Sequence, residues 1–238
     1  MDINNFFDIE KFSQKEIFEN IHEIWLALVN IEGYLKKLNC FEIRSKVPST
    51  CHLENRELIY IGENTIIEPY SYIKGPCHIG DNSQIRHSAY IRGNVITGDN
   101  CIIGHATEIK NSILFNNVNA AHFAYIGDSI LGNNVNLGAG VKCANFRLDK
   151  KMITFYLDGK LVNTNLEKLG AIIGDNTQIG CNSVLNPATF LEKNVKCFPN
   201  TTIGGWVLKN SKIFKSNKMS LKKITIDNSN EPVAKIKK

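Results

Sequence analysis

Between residues 61 and 145 an aliphatic residue returns every six positions. Ile61, Ile67, Ile73, Ile79, Ile85, Ile91, Thr97, Ile103, Ile109, Phe115 and Ala121 hold successive places in that count, and only Thr97 and Ala121 are not large and apolar. Four positions after the large residue comes a small or β-branched one in nearly every unit: Thr65, Ser71, Cys77, Ser83, Ala89, Val95, Cys101, Thr107 and Ile113. A six-residue period fits neither an α-helix nor an alternating strand. It predicts a hexapeptide β-helix, in which three short strands make one triangular coil of about eighteen residues. The large residue points into the prism and the small one fills the space beside a corner. I-G-D-N at 79–82, T-G-D-N at 97–100 and I-G-D-N at 173–176 supply the Gly and Asn that turn tight corners cheaply. The pattern resumes at Ile173, Ile179, Leu185, Leu191, Cys197 and Ile203, with Thr177, Ser183, Thr189, Val195 and Thr201 in the small slot. The expected fold class is all-β, a parallel β-helix.

The flanks differ. Residues 1–12 read as irregular. Ser13-Gln14-Lys15-Glu16 has the form of a capping box, and apolar residues at Ile17, Phe18, Ile21, Ile24, Trp25, Leu28, Ile31, Leu35 and Leu38 predict an amphipathic helix with Gly33 as its weak point. A β-helix has an open end, so the simplest expectation is that this helix caps it. The expected layout is a helical cap and connector over 1–58, the solenoid over 59–207 and a tail over 208–238. Residues 147–171 interrupt the solenoid, with M-I-T-F-Y-L-D-G-K-L-V-N reading as a hairpin turning at Asp158-Gly159. Such an arm either reaches a neighbouring protomer, covers a site, or decorates the surface.

Charge and composition narrow the field. The formal net charge is +5, yet residues 209–238 hold nine lysines against Asp227 and Glu231, so the rest of the chain is slightly acidic. That tail reads as a solvated end, and without interleaved aromatics it does not point to nucleic acid. No signal-peptide pattern or membrane-length apolar run occurs. Seven cysteines, several in core slots (Cys77, Cys101, Cys143, Cys197), read as small buried hydrophobes in a reducing cytoplasm rather than disulfides or metal ligands.

Residues eighteen apart stack in adjacent coils, about 4.8 Å from one another. Lys74, Arg92 and Lys110 would therefore form a column of cations, either fanning into solvent or bridged by a phosphate. His122, in A-A-H-F-A-Y-I-G-D (120–128), lies where the count breaks: the slots run Ala121, Ile126, Leu131 in steps of five before Leu137 and Cys143 restore six. A local break in a regular pattern marks a candidate site, and Tyr125, Asn136 and Asn145 share it.

Y-I-R (90–92), E-I-K-N-S (108–112), H-F-A-Y-I-G-D (122–128), N-L-G-A-G (136–140), Asn145 and N-T-N-L-E-K-L-G-A-I-I-G-D (163–175) together resemble the acetyltransferase domain of GlmU-type bifunctional enzymes, and more closely the archaeal-style and stand-alone sugar-1-phosphate acetyltransferases. The likeness covers about residues 60 to 207. It implies a left-handed β-helix, a homotrimer with sites between protomers, acetyl-CoA as co-substrate and no metal in the site. It implies His122 as general base, Arg92, Lys110 and Tyr125 as sugar-phosphate binders, and Asn136 and Asn145 as contacts to sugar and acetyl group. Ala139, Cys181 and Lys151 would line the acetyl-CoA side. The reaction implied is N-acetylation of glucosamine-1-phosphate or an epimer, in nucleotide-sugar biosynthesis in the cytoplasm.

The residue types suit that chemistry. Only a free amine attacks a thioester, and a histidine with pKa about 6.5 can take its proton near neutrality. The pattern departs from the bifunctional enzymes in three places. No G-x-G-T-R nucleotide loop precedes Gly33, Phe146 stands for a tyrosine after Asn145, and 147–171 is inserted. Three rivals stay open: a hexapeptide acyltransferase for a UDP-sugar or a hydroxyl, a γ-type carbonic anhydrase, for which His87 and His105 stack, and a non-catalytic trimeric partner of a separate nucleotidylyltransferase.

Overall fold

The computed structural model describes residues 2–157 and 159–213. Three eight-stranded parallel sheets enclose a triangular prism, a left-handed β-helix. Face 1 runs from Ile59–Ile61 to Trp206–Val207, face 2 from Ile66–Ile67 to Lys212–Ile213, and face 3 from His52–Glu54 to Thr202–Ile203. The chain visits them in the order 1, 2, 3 in every coil. The large slot residues, such as Ile61, Ile79, Ile91 and Ile126, are fully buried inside the prism, each stabilising the coil by about 2 kcal/mol. At the corner from face 1 to face 2 the left-handed position is held by Asn64, Asn82, Asn100, Asn117, Asn134, Asn176 and Asn194, the residue type that tolerates it best after glycine. Burial pushes the thiols of Cys77, Cys101 and Cys143 up to about 12, so these cysteines pack as apolar groups.

The slot count needs correction in the middle of the chain. Leu114 and Ala120, not Phe115 and Ala121, face the core, and Ser112 rather than Ile113 holds the small slot. The steps of five are therefore Ile109 to Leu114 and Ile126 to Leu131. Leu114 and Phe115 are both apolar, so composition alone did not separate them. The pairs Leu114↔Thr97, Tyr125↔Glu108 and Ile130↔Ile113 are all seventeen apart, against eighteen for Ile61↔Ile79. Strand pairing also begins before residue 59 and continues past 207, at His52–Glu54 and Lys212–Ile213. The basic tail expected over 208–238 lies, beyond Ile213, outside the described residues.

The amino-terminal segment does not cap the open end. The α-helix is α1, Leu26–Leu38, and it runs through Gly33 without interruption. Lys15–Phe18 is a 3-10 turn whose N-cap position falls on Gln14 rather than Ser13, and the expected capping box does not form: Gln14 faces His78, with Nε2 atoms 3.2 Å apart, and Glu16 accepts from the Tyr34 hydroxyl at 3.3 Å. Above Tyr60 and His78 the outward positions of face 1 are apolar: Ile96, Ile113, Ile130, Ile172 and Phe190. Phe6, Phe7, Phe12, Trp25, Leu28 and Ile31 lie against that column, with Phe12 and Phe115 rings 4.2 Å apart edge to face. The hairpin Thr154–Leu157 and Lys160–Asn163 joins them, Phe155 sitting 4.5 Å from Phe190 and 5.5 Å from Trp25. The inserted arm is thus neither a free decoration nor a cover over face 3. The end of the prism is closed instead by the connector, where Ile43 bridges Ile61 and Val47, Cys51 and Leu53 pack on the core.

Candidate active site

The corner from face 3 back to face 1 is abnormal in three successive coils. Each step of five removes one residue there, leaving Lys110-Asn111-Ser112 and then Gly127-Asp128-Ser129 as the turns. In the following coil the chain leaves that same corner after Asn145 for the insertion, and Leu169 and Gly170 return with backbone bonds to Asn145 and Asp128. The tightened turn draws Asp128 inward, 5 % exposed and left-handed with φ +47°. Its carboxylate accepts from Lys110 Nζ at 2.6 Å, from Asn111 Nδ2 at 2.9 Å and from the Asn145 amide. A buried carboxylate without such partners would cost several kcal/mol, so the cluster is mutually dependent.

Gly127 completes the cluster. A Cβ there would meet Asn145 Nδ2 and the Tyr125 hydroxyl, each at 2.7 Å, so only glycine lets the Tyr125 ring lie across the strand toward Asn145, with which its hydroxyl is hydrogen-bonded. Burial raises the pKa of that phenol, and the charges of Glu108 and Asp128 add to the shift. Tyr125 therefore stays a neutral hydroxyl that can donate or accept.

The cation column is real but not free. Lys74 pairs with Glu54 at 2.6 Å, Arg92 with Glu108 at 2.7 Å and Lys110 with Asp128 at 2.6 Å. The Glu108 hydrogen bond is the chief cause of the raised Arg92 pKa. Interleaved carboxylates remove the repulsion that the bare sequence implied, and an anion would meet neutral pairs there. Neither carboxylate leaves the expected register, Glu108 pairing with Tyr90 and Asp128 standing eighteen residues beyond Lys110; a column followed for like charges alone passes over both.

His122 lies at the other edge of face 3, the corner from face 2. Its ring is exposed, and it pairs through the ladder with His105, whose ring stacks on His87 at 5.3 Å. Above it the column continues through Ala139 and Cys181, since Gly140 N–H donates to the His122 carbonyl and Asn182 N–H to that of Ala139. Beside this edge on face 2 stand Gly104, Ala121, Gly138 and Gly180, so the surface there is low and smooth. The left-handed corner positions, asparagine elsewhere, are Tyr70, Ser88, Ala106 and Phe123 in the lower coils. An aromatic residue rarely accepts that conformation. Asn136 lies on face 2, three residues short of this corner, and among the described residues its side chain has no hydrogen bond to the Tyr125 cluster. Lys151 is in the insertion at the opposite corner, its N–H bonded to Asp149, so one chain does not bring it to Ala139 and Cys181.

These two edges are the setting for the comparisons with known proteins. A family model described as the GMPPB C-terminal domain matches residues 73–158. The bifunctional protein GlmU of Methanococcus maripaludis (strain C5 / ATCC BAA-1333) is 36% identical over 115 residues, 48% of this chain and 28% of that protein. Over that stretch the chain is similar to the GlmU-type proteins. The bifunctional sugar-1-phosphate nucleotidylyltransferase/acetyltransferase of Sulfurisphaera tokodaii is 32% identical over 95 residues, 40% of this chain and 24% of that relative. This GlmU-like chain thus spans about a quarter of the length of those relatives. Among solved structures, the UDP-N-acetylglucosamine acyltransferase from Campylobacter jejuni superposes with TM-score 0.52 at 15% identity, covering 70% of each chain. At that identity the likeness speaks for the fold alone. Among the described residues no helix is long and apolar enough to cross a membrane.

Proposed function

We propose that this chain transfers the acetyl group of acetyl-CoA to the 2-amino group of an amino sugar 1-phosphate, glucosamine-1-phosphate or its galacto epimer. The observation that carries this reading is the alignment of His122, Ala139 and Cys181 along one exposed edge, beside small residues that leave room for a long thin thioester arm. His122 takes the proton from the attacking amine. The nitrogen bonds to the thioester carbonyl carbon, the C–S bond breaks, and the thiolate leaves and is protonated to CoA. A backbone N–H or an Asn amide stabilises the transient oxyanion. No covalent enzyme intermediate is needed, in keeping with the buried, high-pKa cysteines, and their free state suits the cytoplasm.

Tyr125, Asn145, Lys110 and Arg92 form the acceptor side across face 3, held by Asp128 and Glu108. His122 has no hydrogen-bond partner among the described residues to orient it, and it stands a full strand from Asn145. A trimer in which a neighbouring copy closes over face 3 supplies what one chain lacks, including a route by which Asn136 and Lys151 enter the site. The test is thiol release from acetyl-CoA over a panel of amino sugars, their 1-phosphates and UDP-sugars. Release is expected with an amino sugar 1-phosphate and is expected to fall by about 10²- to 10⁴-fold in His122→Ala. Full activity in that variant would remove the base, and silence of the wild type over the whole panel would remove the reading.

A further inference from the structure

The three cations that stack along face 3 are each engaged by a carboxylate. A fourth cation on that face is not. Lys142 pairs with Tyr125 through the ladder, one coil above it. Its side chain is exposed, and among the described residues its ammonium has no carboxylate partner. It donates instead to the Gly140 carbonyl at 2.7 Å. Gly140 is the residue whose N–H bonds the His122 carbonyl, so Lys142 leans toward the edge that carries His122.

The chemistry of the acceptor gives this placement meaning. In a 2-amino sugar 1-phosphate the amine and the phosphate sit on adjacent ring carbons. With the amine at His122, the phosphate must lie within a few ångströms of it, near the same edge. Lys110 and Arg92 stand at the far side of the strand and are already neutralised. We propose that Lys142 is the residue that binds the 1-phosphate of the acceptor and so sets the preference for phosphorylated over plain amino sugars. Binding replaces its weak carbonyl contact by a charge-assisted bond to a dianion, while the sugar ring lies over Tyr125 toward Asn145. This rests on the acceptor class proposed above, but its test separates the two.

Glucosamine-1-phosphate and glucosamine are titrated into wild type, Lys142→Met and Lys142→Arg by calorimetry, with melting temperatures recorded to verify folding, and thiol release is measured in parallel. In Lys142→Met the affinity for the phosphorylated sugar is expected to drop by about 10- to 100-fold, collapsing its margin over glucosamine, with Lys142→Arg recovering most of it. A wild type that binds the sugar phosphate through Lys142 without releasing thiol would sink the acetyltransfer reading and leave the phosphate site standing. Unchanged affinity in a folded Lys142→Met, or no binding of the sugar phosphate by the wild type, overturns the assignment.

Discussion

Faces 1 and 3 are made from the same short strands with the same core slots, and they differ in what points outward. On face 1 the outward column is Ile96, Ile113, Ile130, Ile172 and Phe190, all buried under the amino-terminal segment and the hairpin. On face 3 it is Tyr72, Tyr90, Glu108, Tyr125 and Lys142, half-buried or open, with Tyr72 and Tyr90 rings 5.2 Å apart edge to face. Apolar outward residues recruit cover, whereas aromatics alternating with ion pairs tolerate water and can still receive a ligand. The solenoid supplies the scaffold twice, and outward side chains decide which face is covered and which stays open.

That contrast predicts unequal responses to truncation. Phe190→Ala, on face 1, should cost about 3–5 kcal/mol in denaturant unfolding, because its ring is shared by Phe155, Trp25 and Trp206. Asp128→Ala should cost about 3 kcal/mol by leaving Lys110 without its partner in a mostly buried position, and the double variant Asp128→Leu/Lys110→Met should regain most of that. If the single change proves harmless in the same unfolding experiment, the cluster is not interdependent as described. Arg92→Ala removes a half-exposed pair and should shift stability by less than about 1 kcal/mol, so any large loss of activity there would reflect the ligand rather than the fold.

Acidification sharpens the comparison in another way. His78 lies under the amino-terminal segment, stacked on Tyr60 at 4.3 Å, with Nδ1 unpartnered. Burial lowers its pKa, partly opposed by a backbone bond and by Asp99 and Asp81. The folded chain therefore binds this proton less readily than the unfolded one. Stability from this group is complete above about pH 6.5 and declines below it, by at most about 1.4 kcal/mol for each pH unit in which only the unfolded chain is protonated. Melting temperature followed from neutral to mildly acid pH should fall in the wild type, and the part of that fall due to this ring should vanish in His78→Gln.

Much of the fold was legible because inward residues obey a strict spacing that nothing else imposes. Legibility failed where two neighbours were equally apolar, as at Leu114 and Phe115, and where a polar residue had a distant partner, as Glu16 had in Tyr34. The cap was misplaced because outward residues were not weighed, although Ile96, Ile113 and Ile130 are conspicuous once the inward set is subtracted. At the candidate site the true steps of five flank Tyr125, at Ile109 to Leu114 and Ile126 to Leu131, whereas the count breaks beside His122 only when Ala121 is given the slot that Ala120 holds. Asp128 stayed hidden, although it stands eighteen residues beyond Lys110, because only cations were followed along that column.

Phe6 meets Trp206 ring to ring at 5.3 Å, and Asp175 N–H donates to the Phe6 carbonyl. The segment that seals face 1 therefore has no finished seat until winding has passed the coil that carries Trp206. Growth of the prism can proceed one rung at a time by local pairing, but its lining strip closes late, across nearly the whole chain. Until then a row of isoleucines and phenylalanines stands open to water, and this face, rather than face 3, is where a nascent or truncated chain would stick to its neighbours.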